Sequence, residues 1–288
     1  MFYGGQSAKG ICMIYNKRFI YLILILSFVC NLSFAQNNKT VKDSASSKKS
    51  IGSIIADDFV VSFNDGIKTF ASPFHYNTKD AIIAATVLAS TVILFAVDDN
   101  SRTFALKQSS PLNDNLKDLG NVYGNLIPTV VAGTGFYVTG LISHDEYTRI
   151  TGRMIFETAA FAGLITTFTK SIAGRHRPYT LDGPTKFEGP TLNNDYYSLP
   201  SGHATVAFAL STTLANRIHN TYVSIGLYSL AGVTSLARIY EDKHWLSDVF
   251  LGSAIGYFVG DFISGKKSKE TAYHLYPTLN GLKLVYSL

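Results

Sequence analysis

Two side chains in the last third of the chain have the types and spacing of a nucleophile and its partner. His244 and Asp248 are four residues apart, so on a helix their side chains meet on one face. A carboxylate bonded to one imidazole nitrogen fixes the tautomer and makes the other nitrogen a better nucleophile. Taken alone, the pair also fits an exposed ion pair at a helix start.

Positively charged residues occur near this pair and in one earlier stretch. Lys170 and Arg177 flank the sequence SIAGRH, and Pro178 follows, where a helix is expected to break. Arg238 lies six residues before His244. Together the three cations match the negative charge of a phosphate dianion and the charge that develops on its equatorial oxygens.

A turn and a helix start form a third stretch, LPSGH, at residues 199–203. Ser201 fits the start of a helix, where free backbone N–H groups and the helix dipole attract anions. His203 is placed to titrate near neutral pH and to give a proton to a departing group. A lone histidine at a helix start is more often a capping or surface residue.

The elements that must position these residues are six apolar segments, none of which shows strand alternation. They cover residues 81–97, 126–142, 154–169, 203–215, 222–237 and 246–263. This pattern predicts an all-α fold, a bundle of about six core helices that is membrane-associated or integral. The three chemical stretches lie at segment ends separated by one helix or a hairpin, so an antiparallel bundle brings them together.

The last apolar segment indicates which way its acid faces. Asp248, Gly252, Gly256 and Gly260 recur at every fourth residue and share one helix face. Small residues at this spacing let a neighbouring helix approach closely. We therefore expect Asp248 to face the interior of the bundle.

The ordered pattern K-x6-RP, PSGH and R-x5-H-x3-D, over residues 170–248, resembles the signature of the type 2 phosphatidic acid phosphatase superfamily. Vanadium haloperoxidases share this pocket. One position departs from the pattern, because Ala237 stands where a serine is usual. Arg175 and His176 match no fixed position and are expected at the pocket rim, and residues 241–243 are expected to form a solvated turn.

The resemblance implies a metal-independent phosphatase that needs no cofactor and works through a phosphohistidine. The resemblance further implies that His244 attacks phosphorus, that Asp248 orients His244 and that His203 protonates the leaving group. It implies that the phosphate is held by Lys170, Arg177 and Arg238, and that its oxygens are also bound by Ser201 and Gly202. The substrate is expected to be a phosphatidate, an isoprenyl diphosphate or a lipid A, met in a lipid membrane. A soluble periplasmic acid phosphatase and, less well supported, a vanadate-dependent haloperoxidase are the alternatives.

The composition and the N-terminus bear on organisation and location. Charged residues make up 16% of the chain, and its net charge of +5 forms no strong patch, which argues against nucleic-acid binding. Lys17 and Arg18 before an apolar run, then Ser33-Phe-Ala35, predict a leader over residues 1–35. Both cysteines, Cys12 and Cys30, lie in it, so the mature chain is expected to have no disulfide.

After the leader we expect a polar linker (36–50), an amphipathic surface helix (51–75), the phosphatase bundle (76–265) and a C-terminal tail (266–288). The predicted location is the cell envelope, either the inner membrane with the active site facing the periplasm or the periplasm itself. A cleaved leader followed by three spans would instead place Lys170 on the cytoplasmic side. The lysines at 266, 267 and 269 favour a cytoplasmic tail and an outward-facing site.

Overall fold

The computed structural model describes residues 50–265, 273–278 and 281–286. The predicted leader, with Cys12 and Cys30, and all but the last residue of the linker lie outside the described residues. Within the described part, nine α-helices precede a pair of strands. The helices are α1 (Ile51–Ala71), α2 (Thr78–Leu94), α3 (Asp98–Leu106), α4 (Pro111–Tyr123), α5 (Leu126–Ser143), α6 (Glu146–Ala173), α7 (Gly202–Ile218), α8 (Thr221–Tyr240) and α9 (Leu246–Ser264).

The six apolar segments each coincide with one helix, namely α2 and α5 to α9. The all-α prediction is therefore confirmed for the bundle. The short helices α3 and α4 are additions to it. In the C-terminal tail, β1 (Tyr273–Thr278) and β2 (Gly281–Tyr286) form an antiparallel pair with Tyr273 opposite Tyr286.

The glycine face of α9 packs directly on α7. A Cβ added to Gly252 would lie 2.4 Å from the carbonyl oxygen of Ser201, and one added to Gly256 would lie 2.3 Å from that of Thr205. A Cβ on Gly260 would come within 2.8 Å of Thr212 Cβ. Only glycine allows this approach, and it places the start of α9 against the start of α7.

Helix ends at the same end of the bundle shape the loops that carry the chemical residues. At the end of α6, Gly174 has a φ of +58°, and a Cβ there would lie 2.0 Å from the carbonyl oxygen of Gly189. Glycine is required both for the left-handed backbone and for the contact. At the start of α7, the Ser201 hydroxyl accepts a bond from the Ala204 N–H at 3.5 Å.

Helix α1 turns polar side chains toward α6 and leaves apolar ones exposed. The Ser62 hydroxyl donates to Glu157 at 2.6 Å, and Arg149 pairs with the buried carboxylate of Asp58. Phe59, in contrast, is 63% exposed. The helix ends at Ala71 and continues as a 3₁₀ turn over Ser72–His75.

Three stretches of the described residues have the length and apolar composition to cross a membrane. They are Thr78–Leu106, Leu126–Ser143 and Leu246–Ser264. The first contains α2 and α3, the second is α5 and the third is α9. Their outer surfaces carry exposed apolar side chains such as Ile93 and Ile142, as expected of helices that face lipid. The protein is therefore membrane-associated.

Candidate active site

Four helix ends meet at one end of the bundle and bring the eight predicted site residues together. The backbone N–H of Ser201 donates to the carbonyl of Asp248 at 2.9 Å, which ties α7 to α9. Arg177 donates to the carbonyl of Lys243 at 3.3 Å, which ties the α6–α7 loop to the α8–α9 loop. The residues are Lys170 in the last turn of α6, Arg177 in the following loop, Ser201, Gly202 and His203 at the start of α7, Arg238 in the last turn of α8, His244 before α9 and Asp248 in its first turn.

Lys170 faces the turn that precedes α7. Its Nζ donates to the carbonyl oxygens of Tyr197 at 2.5 Å and Ser198 at 3.2 Å. Burial, with the nearby charges of Arg177 and Arg238, lowers the pKa of Lys170 to about 7. An anion that binds between these cations therefore stabilises the charged, protonated form of Lys170.

Arg238 is held from two sides while part of its guanidinium stays unpaired. Its Nη1 donates to Oδ1 of Asn121 at 2.6 Å and to Glu241 at 2.7 Å. Asn121 also donates to Glu241 at 2.8 Å, so α4 and the end of α8 share this network. The buried Nε of Arg238 has no hydrogen-bond partner among the described residues, which leaves a donor for an anion.

The start of α7 supplies backbone donors and a histidine. The N–H groups of Gly202 and His203 lie in the first turn, where the helix itself offers no acceptor. Burial, and then the charges of Arg238, Lys170 and Arg177, lower the pKa of His203 to about 4. Its ring is therefore neutral at neutral pH unless an anion binds beside it.

The nucleophile candidate is buried beside its carboxylate. Nδ1 of His244 lies 3.5 Å from Oδ2 of Asp248, and burial lowers the pKa of His244 well below its ordinary value. Asp248 accepts bonds from the Trp245 backbone N–H at 2.9 Å and from the Ser198 hydroxyl. A neutral imidazole with Nδ1 toward a fixed carboxylate has Nε2 free to act as a nucleophile.

Two residues expected at the rim lie inside, and that prediction is wrong. Arg175 is fully buried, and its Nη1 donates to Asp248 at 2.6 Å. His176 is buried against Tyr196, with its ring nitrogens 2.7 Å from Asp182 and 2.9 Å from Glu188. The left-handed turn at Gly174 directs the chain inward, so the two residues after it pack under the pocket.

The turn after α8 is likewise less solvated than predicted. Glu241 is bound to Arg238, and Arg102 from α3 donates two bonds to Asp242, at 2.6 and 2.8 Å. Lys243 alone of the three residues is exposed. Asp98, Asn121 and Arg102 reach the site from α3 and α4, and nothing in their local sequence marks them as site residues.

The arrangement combines a cationic anion pocket, a neutral buried imidazole and a second histidine beside the pocket. Residues 152–270 match the family profile described as the PAP2 superfamily. A solved PAP2-type phosphatidylglycerolphosphate phosphatase from Bacillus subtilis is 18% identical, with a TM-score of 0.47 over 65% of this chain and 96% of that one.

Two curated proteins show similarity over part of their length. A lipid A 1-phosphatase of Porphyromonas gingivalis is 27% identical over 180 residues, which is 61% of this chain and 36% of that protein. A PA-phosphatase related-family protein of Dictyostelium discoideum is 28% identical over 152 residues, which is 48% of this chain and 55% of that protein. The chain thus matches less than two thirds of either relative.

Proposed function

We propose that this protein, whose residues 152–270 match the PAP2 superfamily profile, is a metal-independent phosphatase that removes phosphate from a membrane lipid through a phosphohistidine on His244. The observation that carries the proposal is the convergence of three cations on two histidines. Lys170, Arg177 and Arg238 lie close enough to His203 for their charges to lower its pKa, and Lys170 and Arg177 do the same to His244. These interactions support one shared anion pocket.

The chemical steps follow from this arrangement. The lone pair of His244 Nε2 forms a bond to phosphorus while the bond from phosphorus to the ester oxygen breaks. The electron pair goes to that oxygen, which takes a proton from His203. Water then attacks phosphorus, gives a proton to His203 and returns the N–P electron pair to His244. The three cations stabilise the charge on the equatorial oxygens throughout.

The pKa shifts fit these roles. His203 is neutral in the empty pocket, yet it has to be protonated to act as an acid. A bound phosphate dianion offsets the cations that lower the pKa of His203, so the substrate itself favours protonation of its acid. Lys170 gains charge for the same reason. The pocket is therefore set to take up protons as the substrate binds.

An apolar groove supports a lipid substrate. A cavity of about 830 Å³ lies between α2, α8 and α9, and it is lined by side chains that include Leu94, Leu246, Phe250 and Tyr257. It begins at Leu246, two residues after His244, and follows α9 away from the pocket. A small soluble phosphomonoester has no apolar chain to bury in this groove, whereas the acyl or isoprenyl chain of a lipid substrate fits it.

A phosphate-release assay tests the proposal. The purified protein in detergent micelles is given dioctanoyl phosphatidate, farnesyl diphosphate, a lipid A 1-phosphate and p-nitrophenyl phosphate, with and without EDTA. We expect turnover of at least one lipid substrate, no effect of EDTA and no turnover by His244→Ala. Turnover of p-nitrophenyl phosphate alone would favour a soluble-type acid phosphatase, and strict dependence on a divalent metal would contradict the mechanism.

We propose further that the protein lies in the inner membrane with this pocket facing the periplasm. The lysines that follow α9 in the sequence, at 266, 267 and 269, favour a cytoplasmic position for the end of that helix. The pocket is at the opposite end of α9. Reporter fusions at residues 50, 185 and 288 test this, and a cytoplasmic signal at 185 would contradict it.

A further inference from the structure

A second buried carboxylate lies behind Asp248. Asp98, the first residue of α3, accepts the backbone N–H of Ser247 at 2.9 Å and the hydroxyl of Ser247 at 2.6 Å. It also accepts Nη2 of Arg175 at 2.7 Å. Asp98, Arg175, Ser247 and Asp248 are all fully inaccessible to solvent. Asp98 is therefore linked to Asp248 through Arg175.

All five N–H donors of Arg175 are used in this arrangement. Nη1 donates to Asp248 at 2.6 Å and to Ser247 at 2.7 Å, and Nη2 donates to Asp98 and, at 2.5 Å, to the carbonyl of Pro184. Nε donates to the same carbonyl at 2.8 Å. The guanidinium carbon also lies 4.3 Å from the ring centre of Phe95. Only a planar guanidinium satisfies this set of acceptors, and lysine cannot replace it.

The charges of this group do not cancel. In the part of the chain that the structure describes, the hydrogen bonds of the Asp98 and Asp248 carboxyl groups all come from donors, as expected of ionised carboxylates. Two negative charges are balanced by the single charge of Arg175. These three side chains by themselves therefore carry a net charge of one negative unit beside His244, and this charge favours a positive charge on the imidazole.

We propose that Asp98 and Arg175 are positioning residues for the phosphatase reaction, which hold Asp248 against His244 and stabilise the positive charge on its imidazole. That charge forms as Nε2 of His244 gives its lone pair to phosphorus while Nδ1 keeps its proton. It disappears when water breaks the N–P bond. The net negative charge of the Asp98–Arg175–Asp248 group attracts this imidazolium charge, which forms only as the attack begins. The group therefore stabilises the transition state more than the resting enzyme.

This inference rests on the proposed function, and Asp98→Asn tests it with Asp99→Asn as the matched control. Asp99 is the next residue and is exposed. With dioctanoyl phosphatidate as substrate, we expect Asp98→Asn to lower kcat by about 10- to 100-fold and to change KM by less than about threefold. Asp99→Asn is expected to match the wild type in both constants.

Two inhibitors separate transition-state from ground-state effects. Vanadate can adopt the five-coordinate geometry of phosphoryl transfer, so its inhibition should weaken by the same factor as kcat in Asp98→Asn. Inorganic phosphate resembles the ground state, and its inhibition constant should stay within about threefold of the wild-type value. Equal weakening of both would mean that Asp98 shapes the anion pocket in general, and it would overturn the proposal.

A merely structural role gives a different kinetic result. An alkaline quench preserves phosphohistidine, so the rate constant and the amplitude of its formation can be measured separately. We expect Asp98→Asn to slow formation with the amplitude retained. A reduced amplitude with an unchanged rate constant would mean that fewer molecules are folded, and it would overturn the proposal.

Ser247→Ala is the milder second variant should Asp98→Asn fail to fold. It removes the hydroxyl between Asp98 and Arg175 but keeps the backbone bond, and we expect kcat to fall by about three- to tenfold. If the wild type turns over no substrate, the proposed function fails and this inference falls with it. If the wild type is active and both variants keep wild-type kcat, only the inference fails.

Discussion

Nδ1 of His244 lies 3.5 Å from Oδ2 of Asp248, and this nitrogen makes no hydrogen bond within the described part of the chain. A movement of a few tenths of an ångström turns this approach into a hydrogen bond, as catalytic contacts often tighten when a substrate binds. The bond leaves the proton on Nδ1 and the lone pair on Nε2. The carboxylate of Asp248, which three further groups already hold in place, thus makes Nε2 of His244 the nucleophilic nitrogen.

The two histidines should respond differently to the leaving group. His203→Ala removes the acid, so turnover of dioctanoyl phosphatidate, with its alkoxide leaving group, should fall by about 10²- to 10⁴-fold. Turnover of p-nitrophenyl phosphate should fall far less, because nitrophenolate leaves without a proton. His244→Ala should abolish both. His75→Ala, an exposed histidine remote in sequence from the three motifs, is the control and should change neither. Equal losses on both substrates in His203→Ala would argue against its role as the acid.

The motifs predicted at which end of the bundle the site residues lie, because each motif contains a helix end. Ser201 is a good helix N-cap, and Gly174 with Pro178 is a good helix stop, so the level of each residue along the bundle could be read locally. The seam of glycines on α9 likewise indicated that Asp248 faces inward. Local sequence carries this information because helix ends and helix faces are local properties.

Contacts between residues far apart in the sequence could not be predicted from local sequence. Asp98 and Ser247 are separated by 149 positions, and Asn121 and Arg238 by 117. Asp98 resembled the polar flank of an apolar segment, which is where charged residues commonly lie. Arg175 matched no motif position, and only the turn at Gly174 directs it inward. The short helix α4 did have a readable start, Ser110 followed by Pro111, but its place in the bundle did not follow from it.

The affinity of the pocket for a dianion should fall as pH rises through neutrality. The pKa of Lys170 is lowered to about 7 in the empty pocket, so above that pH its amine is neutral and must take up a proton when an anion binds. Tungstate stays a dianion over this range and is the probe. Its inhibition constant should rise between pH 6 and pH 8.5 by up to about tenfold per pH unit for one linked proton.

Lys170→Arg provides the matched variant for this pH dependence. An arginine keeps its charge throughout the range, so the slope of the inhibition constant against pH should decrease by about one proton. The proton taken up by His203 remains in both proteins. A slope that is the same in wild type and Lys170→Arg would show that Lys170 does not change its protonation on binding.

The contact between α9 and α7 should tolerate no added methyl group. Gly252→Ala places a Cβ 2.4 Å from the carbonyl oxygen of Ser201, so we expect about 1–3 kcal/mol of destabilisation and a loss of tungstate affinity as Ser201 moves. Gly163→Ala in α6 is the matched control, because no atom lies within 4 Å of its added Cβ. It should be neutral or stabilise by up to about 1 kcal/mol. Thermal unfolding in detergent measures both, and equal melting temperatures for the two variants would contradict the close packing.

The partners of Arg238 should affect anion binding in opposite directions. Asn121→Ala removes an acceptor that orients the guanidinium, so tungstate should bind about five- to tenfold more weakly, as expected for the loss of one hydrogen bond to a charged group. Glu241→Gln keeps the shape of the side chain but removes a negative charge 2.7 Å from Nη1 of Arg238, so tungstate should bind more tightly. Asp118→Asn, in α4 with a side chain that is 40% exposed, is the control and should leave the inhibition constant unchanged. Weaker binding in both Asn121→Ala and Glu241→Gln would mean that the two residues act only by holding Arg238 in place, and the charge of Glu241 would then have no separate effect on the pocket.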